Sequence, residues 1–219
     1  MTQSNVTHSA FKNRSDLHVA RKIWHMAGVF TMFVGWVTLP FWVSLSLVIL
    51  GWLVFVPADV VRQRNVEVNK RLTKLFQSIM RNSELNRLAG TTYLLTGVIL
   101  IALIFNRGVV SVSLLFLAFA DPIASYIGIK YGKDKIFGHK SFQGFMAAFF
   151  VCTIVCYLYL IYNQVTQHLL IASLLAGLVG AFAELIPLGK IDDNFTMPVL
   201  SSIGLSILFY FFGFFSFFT

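Results

Sequence analysis

Carboxylates interrupt this otherwise apolar chain at a few places. Asp121 ends the run SLLFLAFA, Glu184 lies inside another apolar stretch, and Asp192 and Asp193 follow Pro187 and Gly189 just ahead of Asn194 and Pro198. An ionisable side chain in such surroundings is costly without a partner or a task. Helix capping is a sufficient reason for Asp192 or Asp193, but not for Glu184, which lies deeper in its segment. Beyond Asp121 come Gly128, Tyr131, Gly132, Lys133, Lys140, Ser141 and Gly144. Glycines let a backbone approach an anion closely, lysines bring charge to phosphate oxygens, and a carboxylate can hold Mg²⁺. Together these parts suit a nucleoside triphosphate, although any one of them alone reads as a basic solvated loop with turn glycines. The stretch is neither a Walker A motif nor a Rossmann fingerprint. A third group, Arg21, Lys22 and His25, places two cations and an imidazole where the first apolar segment begins. Arg21 and His25 share a helical face and could grip a phosphate, while snorkelling at a membrane boundary is a sufficient reason for Lys22.

The elements that must position these residues follow from composition. With 57% hydrophobic residues, 12% charged and a mean hydropathy of +0.77, the chain is too apolar to hide its surface as a soluble domain. No linker divides it, so residues 1–219 read as one integral membrane unit. The fold class is all-α. A helix needs roughly 20 mostly apolar residues to cross the hydrocarbon core, and about seven stretches approach that length, near 23–39, 41–58, 90–106, 109–128, 142–162, 168–188 and 197–218. Pro40 marks the turn between the first two. The polar first twenty residues do not read as a signal peptide. Cys152 and Cys156 sit four apart in an apolar stretch and read as packing residues.

Charge orients the spans. Lys12, Arg14, Arg21 and Lys22, then the cations of loop 59–89 (among them Arg62, Lys70, Arg71, Lys74, Arg81 and Arg87), those of loop 129–141, and Lys190 in loop 189–196 all fall on one side. Arg107 alone falls on the other. By the excess of Lys and Arg in cytoplasmic loops, the first side, which also carries the candidate site, is expected to be cytoplasmic. Within loop 59–89, Val61, Val68, Leu72, Leu75, Phe76, Ile79 and Met80 fall near one helical face, offset from the cations. That pattern predicts an interfacial amphipathic helix, read as an anionic-lipid anchor ahead of a gate for a lipid.

RKIWH at 21–25, ELNRLAGTTYLLTG at 84–97, ADPIASYIGIKYGK at 120–133, KSFQG at 140–144, Glu184 and DNFTMP at 193–198, taken in succession, resemble the CTP-dependent lipid kinases, which include dolichol kinase, phytol kinase and CTP-dependent diacylglycerol kinase. The resemblance runs through nearly the whole chain. It departs at Ala120, where the family usually has Gly, and at Gln143, where it usually has Glu; the second removes a carboxylate and any metal or base role that went with it. What the resemblance implies is transfer of the γ-phosphate of CTP to the hydroxyl of a membrane lipid alcohol, an isoprenoid alcohol narrowly ahead of diacylglycerol. The expected partners are CTP, that lipid and the bilayer, with no nucleic acid, and the expected cofactor is Mg²⁺. Asp121 and Asp193 are expected to hold the metal or orient the hydroxyl, with Glu184 close by and the base undecided among them. Gly128, Gly132, Lys133, Lys140, Ser141, Gly144 and Asn194 are expected around the nucleotide, and Arg21, Lys22 and His25 at a phosphate or the lipid. A phosphatidate cytidylyltransferase-like enzyme is the alternative, and a transporter a weaker one, because its ionisable residues would lie near the bilayer midplane.

Overall fold

The computed structural model describes residues 17, 19–76, 80, 84–85, 87–189 and 191–218. Lys12, Arg14, Ile79, Arg81 and Lys190, used above in the charge and periodicity readings, lie outside them. The chain folds almost entirely as helix: α1 (Val19–Thr38), α2 (Phe41–Arg64), α3 (Val66–Leu75), α4 (Gly90–Ile104), α5 (Arg107–Leu115), α6 (Asp121–Lys130), α7 (Phe142–Tyr162), α8 (Leu169–Leu185) and α9 (Asp193–Phe211). One small antiparallel hairpin, β1 (Lys135–Phe137) with β2 (Lys140–Ser141), joins α6 to α7. Its turn passes through Gly138 at φ +54°, a conformation that costs glycine little.

All seven apolar stretches are helical. Among the described residues four helical stretches are long and apolar enough to cross a membrane: Phe41–Arg64, Arg107–Lys130, Phe142–Tyr162 and Asp193–Phe211. Gly90–Ile104 and Leu169–Leu185 are apolar but shorter, and α1 carries Arg21, Lys22 and His25 in its first two turns. Within loop 59–89 the predicted amphipathic stretch is helical over α3, with Val66 and Leu75 exposed, while Val61 belongs to α2. The inner face of α3 is polar, however, with Asn69 donating to the carbonyl of Leu85 at 3.0 Å and Thr73 buried.

Lipid tails are as apolar as leucine, so hydrophobic burial drives helix association weakly in a bilayer, and close packing must supply the cohesion. The core shows this. α7 lies along α8 where Gly177 and Gly180 face Thr153 and Cys152, and a Cβ at Gly180 would fall 2.4 Å from the Cys152 sulfur. Both cysteines are free and buried, as their spacing predicts. α9 is the central post, packed on α4, α5 and α8, with Ser202 hydrogen-bonded to Ser113 of α5 at 2.8 Å. At the end away from the carboxylates, Arg107 donates to the carbonyls of Trp36 and Leu39, and Trp36 donates back to the Arg107 carbonyl. Arg107 thus ties the α1–α2 turn to α5.

One irregularity positions the site. Between α5 and α6 the helix widens into a π-turn over Phe116–Ala120, ending at Asp121. Such bulges occur frequently where a helix must re-aim a functional residue.

Candidate active site

Three helices deliver carboxylates to one recess. Asp121 begins α6, Glu184 is in the last turn of α8, and Asp193 is in the first turn of α9. With Ala124, Ser125, Gly128, Ile129, His139, Lys140, Ser141 and Gly144 they line a recess of about 50 Å³. The Lys140 ammonium stands among the carboxylates, 2.5 Å from Glu184 Oε1 and 3.3 Å from Asp193 Oδ2. Burial by itself would lower the pKa of this lysine, but the charges of Glu184, Asp193 and Asp121 outweigh it and hold the group above its ordinary range.

The helix ends explain the division of labour. An acid in the last turn of a helix sits at the unfavourable end of the macrodipole, so Glu184, only 3% exposed, depends on Lys140. Asp192 is the N-cap of α9, its carboxylate accepting from Asn194 N at 3.1 Å, which leaves Asp193 turned to the recess. Sequence alone left capping open for either residue. Asp121 and Asp193 retain 19% and 20% exposure, against 3% for Glu184.

The glycines serve packing. Ser141 caps α7 by accepting from Gly144 N at 3.2 Å. A Cβ at Gly132 would lie 2.5 Å from its hydroxyl, and one at Gly144 3.0 Å from the Ala124 carbonyl. Gly128, Gly132 and Gly144 therefore let α6 and the start of α7 close around Ser141, which forms the floor of the recess. The departure at Gln143 is explained by the same turn. Its side-chain carbonyl accepts from Lys133 N at 3.2 Å and Asp134 N at 3.4 Å, and its amide donates to Asp134 Oδ2 at 2.7 Å. The residue ties the loop to α7 and does not line the recess.

Several expected residues lie elsewhere. Asn194 turns away to donate to the Gly90 carbonyl at 3.1 Å, and Lys133 is exposed on the turn, with its backbone rather than its ammonium engaged by Gln143. Arg21, Lys22 and His25 each dock on a different piece of protein. Arg21 makes two hydrogen bonds with Glu84 at 2.7 and 2.8 Å. Lys22 donates to Ser125 Oγ at 2.6 Å, just behind the recess wall. His25 Nε2 lies 3.2 Å from the Leu117 carbonyl and 3.9 Å from Asp121 Oδ2.

Sequence reasoning assigned no role to His139, Asp59 or Glu84. His139 was one more polar residue in a basic hairpin; only the fold turns it to the recess. Asp59 had a legible signal, an acid near the end of an apolar span with Arg62 three residues on. Arg62, which the charge pattern placed in a loop, belongs to α2 and is buried.

A metal held by protein alone is not in evidence: among the described residues no three His, Cys, Asp or Glu side chains converge to hold one. The donor set instead fits Mg²⁺, which takes one or two carboxylates and completes its shell with phosphate oxygens and water. Three carboxylates against one ammonium would repel a bare triphosphate, and a divalent cation would offset that excess of negative charge.

The sequence is similar to the CTP-dependent diacylglycerol kinase 1 of Schizosaccharomyces pombe, at 31% identity over 162 residues, covering 68% of this chain and 74% of that one. It is similar to the CTP-dependent diacylglycerol kinase 1 of Saccharomyces cerevisiae, at 29% over 206 residues, covering 84% and 71%. An uncharacterized protein of Rickettsia prowazekii matches at 29% over 191 residues, covering 84% and 91%. No protein-family model matches, and no solved structure does. Likeness at this level over most of both chains decides the matter: the chain belongs to the CTP-dependent lipid kinases.

Proposed function

We propose that this protein transfers the γ-phosphate of CTP to the hydroxyl of a diacylglycerol-type lipid, giving a lipid monophosphate and CDP. The observation that carries the reading is the meeting of Asp121, Glu184 and Asp193 from three helices around Lys140. Phosphoryl transfer asks a protein for positioning and charge neutralisation more than for covalent help. Asp121 and Asp193 would hold Mg²⁺, which supplies charge neutralisation at the phosphates when bound. Glu184 keeps Lys140 oriented so that its ammonium can turn from Asp193 to a phosphate oxygen. A carboxylate at the mouth of the recess takes the proton from the lipid hydroxyl. The names of the yeast relatives favour diacylglycerol over a polyprenol or phytol-like alcohol as acceptor.

The placement of the reaction follows from the same residues. The recess opens at the helix ends that carry most of the chain's cations, which the charge asymmetry assigns to the cytoplasmic face of a seven-span topology. There CTP arrives from water while the lipid stays in the bilayer.

The test is incubation of the purified protein with Mg²⁺, γ-labelled CTP and a panel of diacylglycerol, polyprenol and phytol-like alcohol. Label is expected in phosphatidate, with release of CDP. Pyrophosphate release with no labelled lipid would replace the kinase by a cytidylyltransferase. Label confined to a polyprenol would change the acceptor.

A further inference from the structure

The π-turn before Asp121 contains a gap that the sequence dictates. In this register each N–H bonds to the carbonyl five residues back, so the N–H of residue 122 would serve Leu117. Residue 122 is proline and has no N–H. The Leu117 carbonyl is thus left without its helical donor on a fully buried residue, where an unsatisfied polar group is expensive. His25, one helix away, fills the vacancy: its Nε2 stands 3.2 Å from that oxygen. A carbonyl only accepts, so Nε2 carries the proton. The ring so held is 14% exposed and lies 3.9 Å from Asp121 Oδ2.

We infer that His25 is a positioning residue for Asp121, acting by taking the hydrogen bond that Pro122 cannot make and so fixing the π-turn that aims the carboxylate. This rests on the reading of Asp121 as part of the kinase site. It also assigns His25 a task other than gripping phosphate or acting as a base through Nε2, since that nitrogen is already a donor. Lys22, the other α1 side chain on this helix, holds α6 one turn further on through Ser125, so α1 braces both sides of Asp121.

The assignment makes an unusual prediction, because removing the proline should relieve the need for the histidine. His25→Ala is expected to lower turnover at least about tenfold, the scale typical when an outer partner of a ligand-holding group is removed. His25→Gln, which keeps a donor, should recover part of it. Pro122→Ala restores an N–H for Leu117 and is expected to be nearly neutral alone, and in His25→Ala/Pro122→Ala it should recover most of the lost turnover. A double variant no better than His25→Ala would overturn the proposal, as would wild-type turnover in His25→Ala. Melting temperature in detergent is followed in parallel. If turnover falls only as far as the folded fraction falls, His25 is a brace for the fold and the positioning role is wrong. If the wild type transfers no phosphate from CTP, the kinase reading fails separately. The same cycle in melting temperature then decides the His25–Leu117 link, and absence of rescue there overturns it.

Discussion

Two clusters of acids and bases stand at the same end of the helix bundle, and they are built on opposite principles. At the start of α4, Arg62 donates to Asp59, to Asn69 and to the carbonyls of Glu84 and Arg87, while Asp59 also accepts from Ala89 N and Thr92 Oγ1. Glu84 binds Arg21 through both oxygens and accepts from Gly90 N at 3.1 Å. Each acid there has its own arginine. Arginine's planar fork makes such pairs directional, and the two acids occupy the N-terminus of α4, where their charge is favourable. In the recess, Glu184 and Asp193 share Lys140 while Asp121 lies near His25, and Asp121 and Asp193 remain partly exposed. A lysine ammonium is a point charge on a flexible stem, suited to leaving one partner for another. The first cluster is buried and holds helices together, whereas the second keeps two carboxylates partly open to the recess.

The largest effect that tests this contrast is on turnover. Asp121→Asn or Asp193→Asn should lower kcat by on the order of 10²–10³-fold, the range seen when one charge-stabilising group is removed from an active site, while the melting temperature in detergent changes little. Near-wild-type turnover in either variant would take that residue out of the mechanism. Arg62→Met should do the reverse. It leaves Asp59 buried without its cation, a loss of about 3–5 kcal/mol to be read in unfolding, with turnover per folded molecule largely kept. A kinetic defect with unchanged stability would erase the distinction between the clusters.

A competition assay sharpens the nucleotide side. A site whose buried groups hydrogen-bond cytosine leaves them unpaired with adenine, at about 1–3 kcal/mol per group. Excess unlabelled CTP should therefore suppress transfer from labelled CTP well before ATP does at the same free Mg²⁺. Equal suppression would sink the CTP preference. The smallest effect is expected at Gln143→Glu, which installs the residue usual in the family. It turns a hydrogen bond to Asp134 into a like-charge contact, at roughly 1 kcal/mol of stability, and should leave kcat within about threefold because the side chain does not line the recess. Asp134→Asn in the same chain should restore the stability. A hundredfold loss of kcat would instead place residue 143 in the chemistry.

Much of this was legible from residue order. Runs of apolar residues dictate helices, because a backbone among lipid tails must satisfy its own hydrogen bonds, and the run over 142–162 is α7 to the residue. Asp121, Glu184 and Asp193 stood out for a related reason, since charge in an apolar run is costly and therefore informative. Pro122 even carries its own consequence, a missing donor. What sequence could not supply is partnership. That Lys140 stands against Glu184, 44 residues away, that Arg62 points inward, that Asn194 reaches Gly90, and that His25 finds the carbonyl Pro122 leaves open are all decided by which helices cross and at what depth. Those crossings depend on close contact of small residues such as Gly128, Gly144 and Gly180 with specific neighbours. Local sequence sets the helix, but the partner that fits against it is chosen by packing among distant segments, and there a cation becomes a brace or a ligand-binding group.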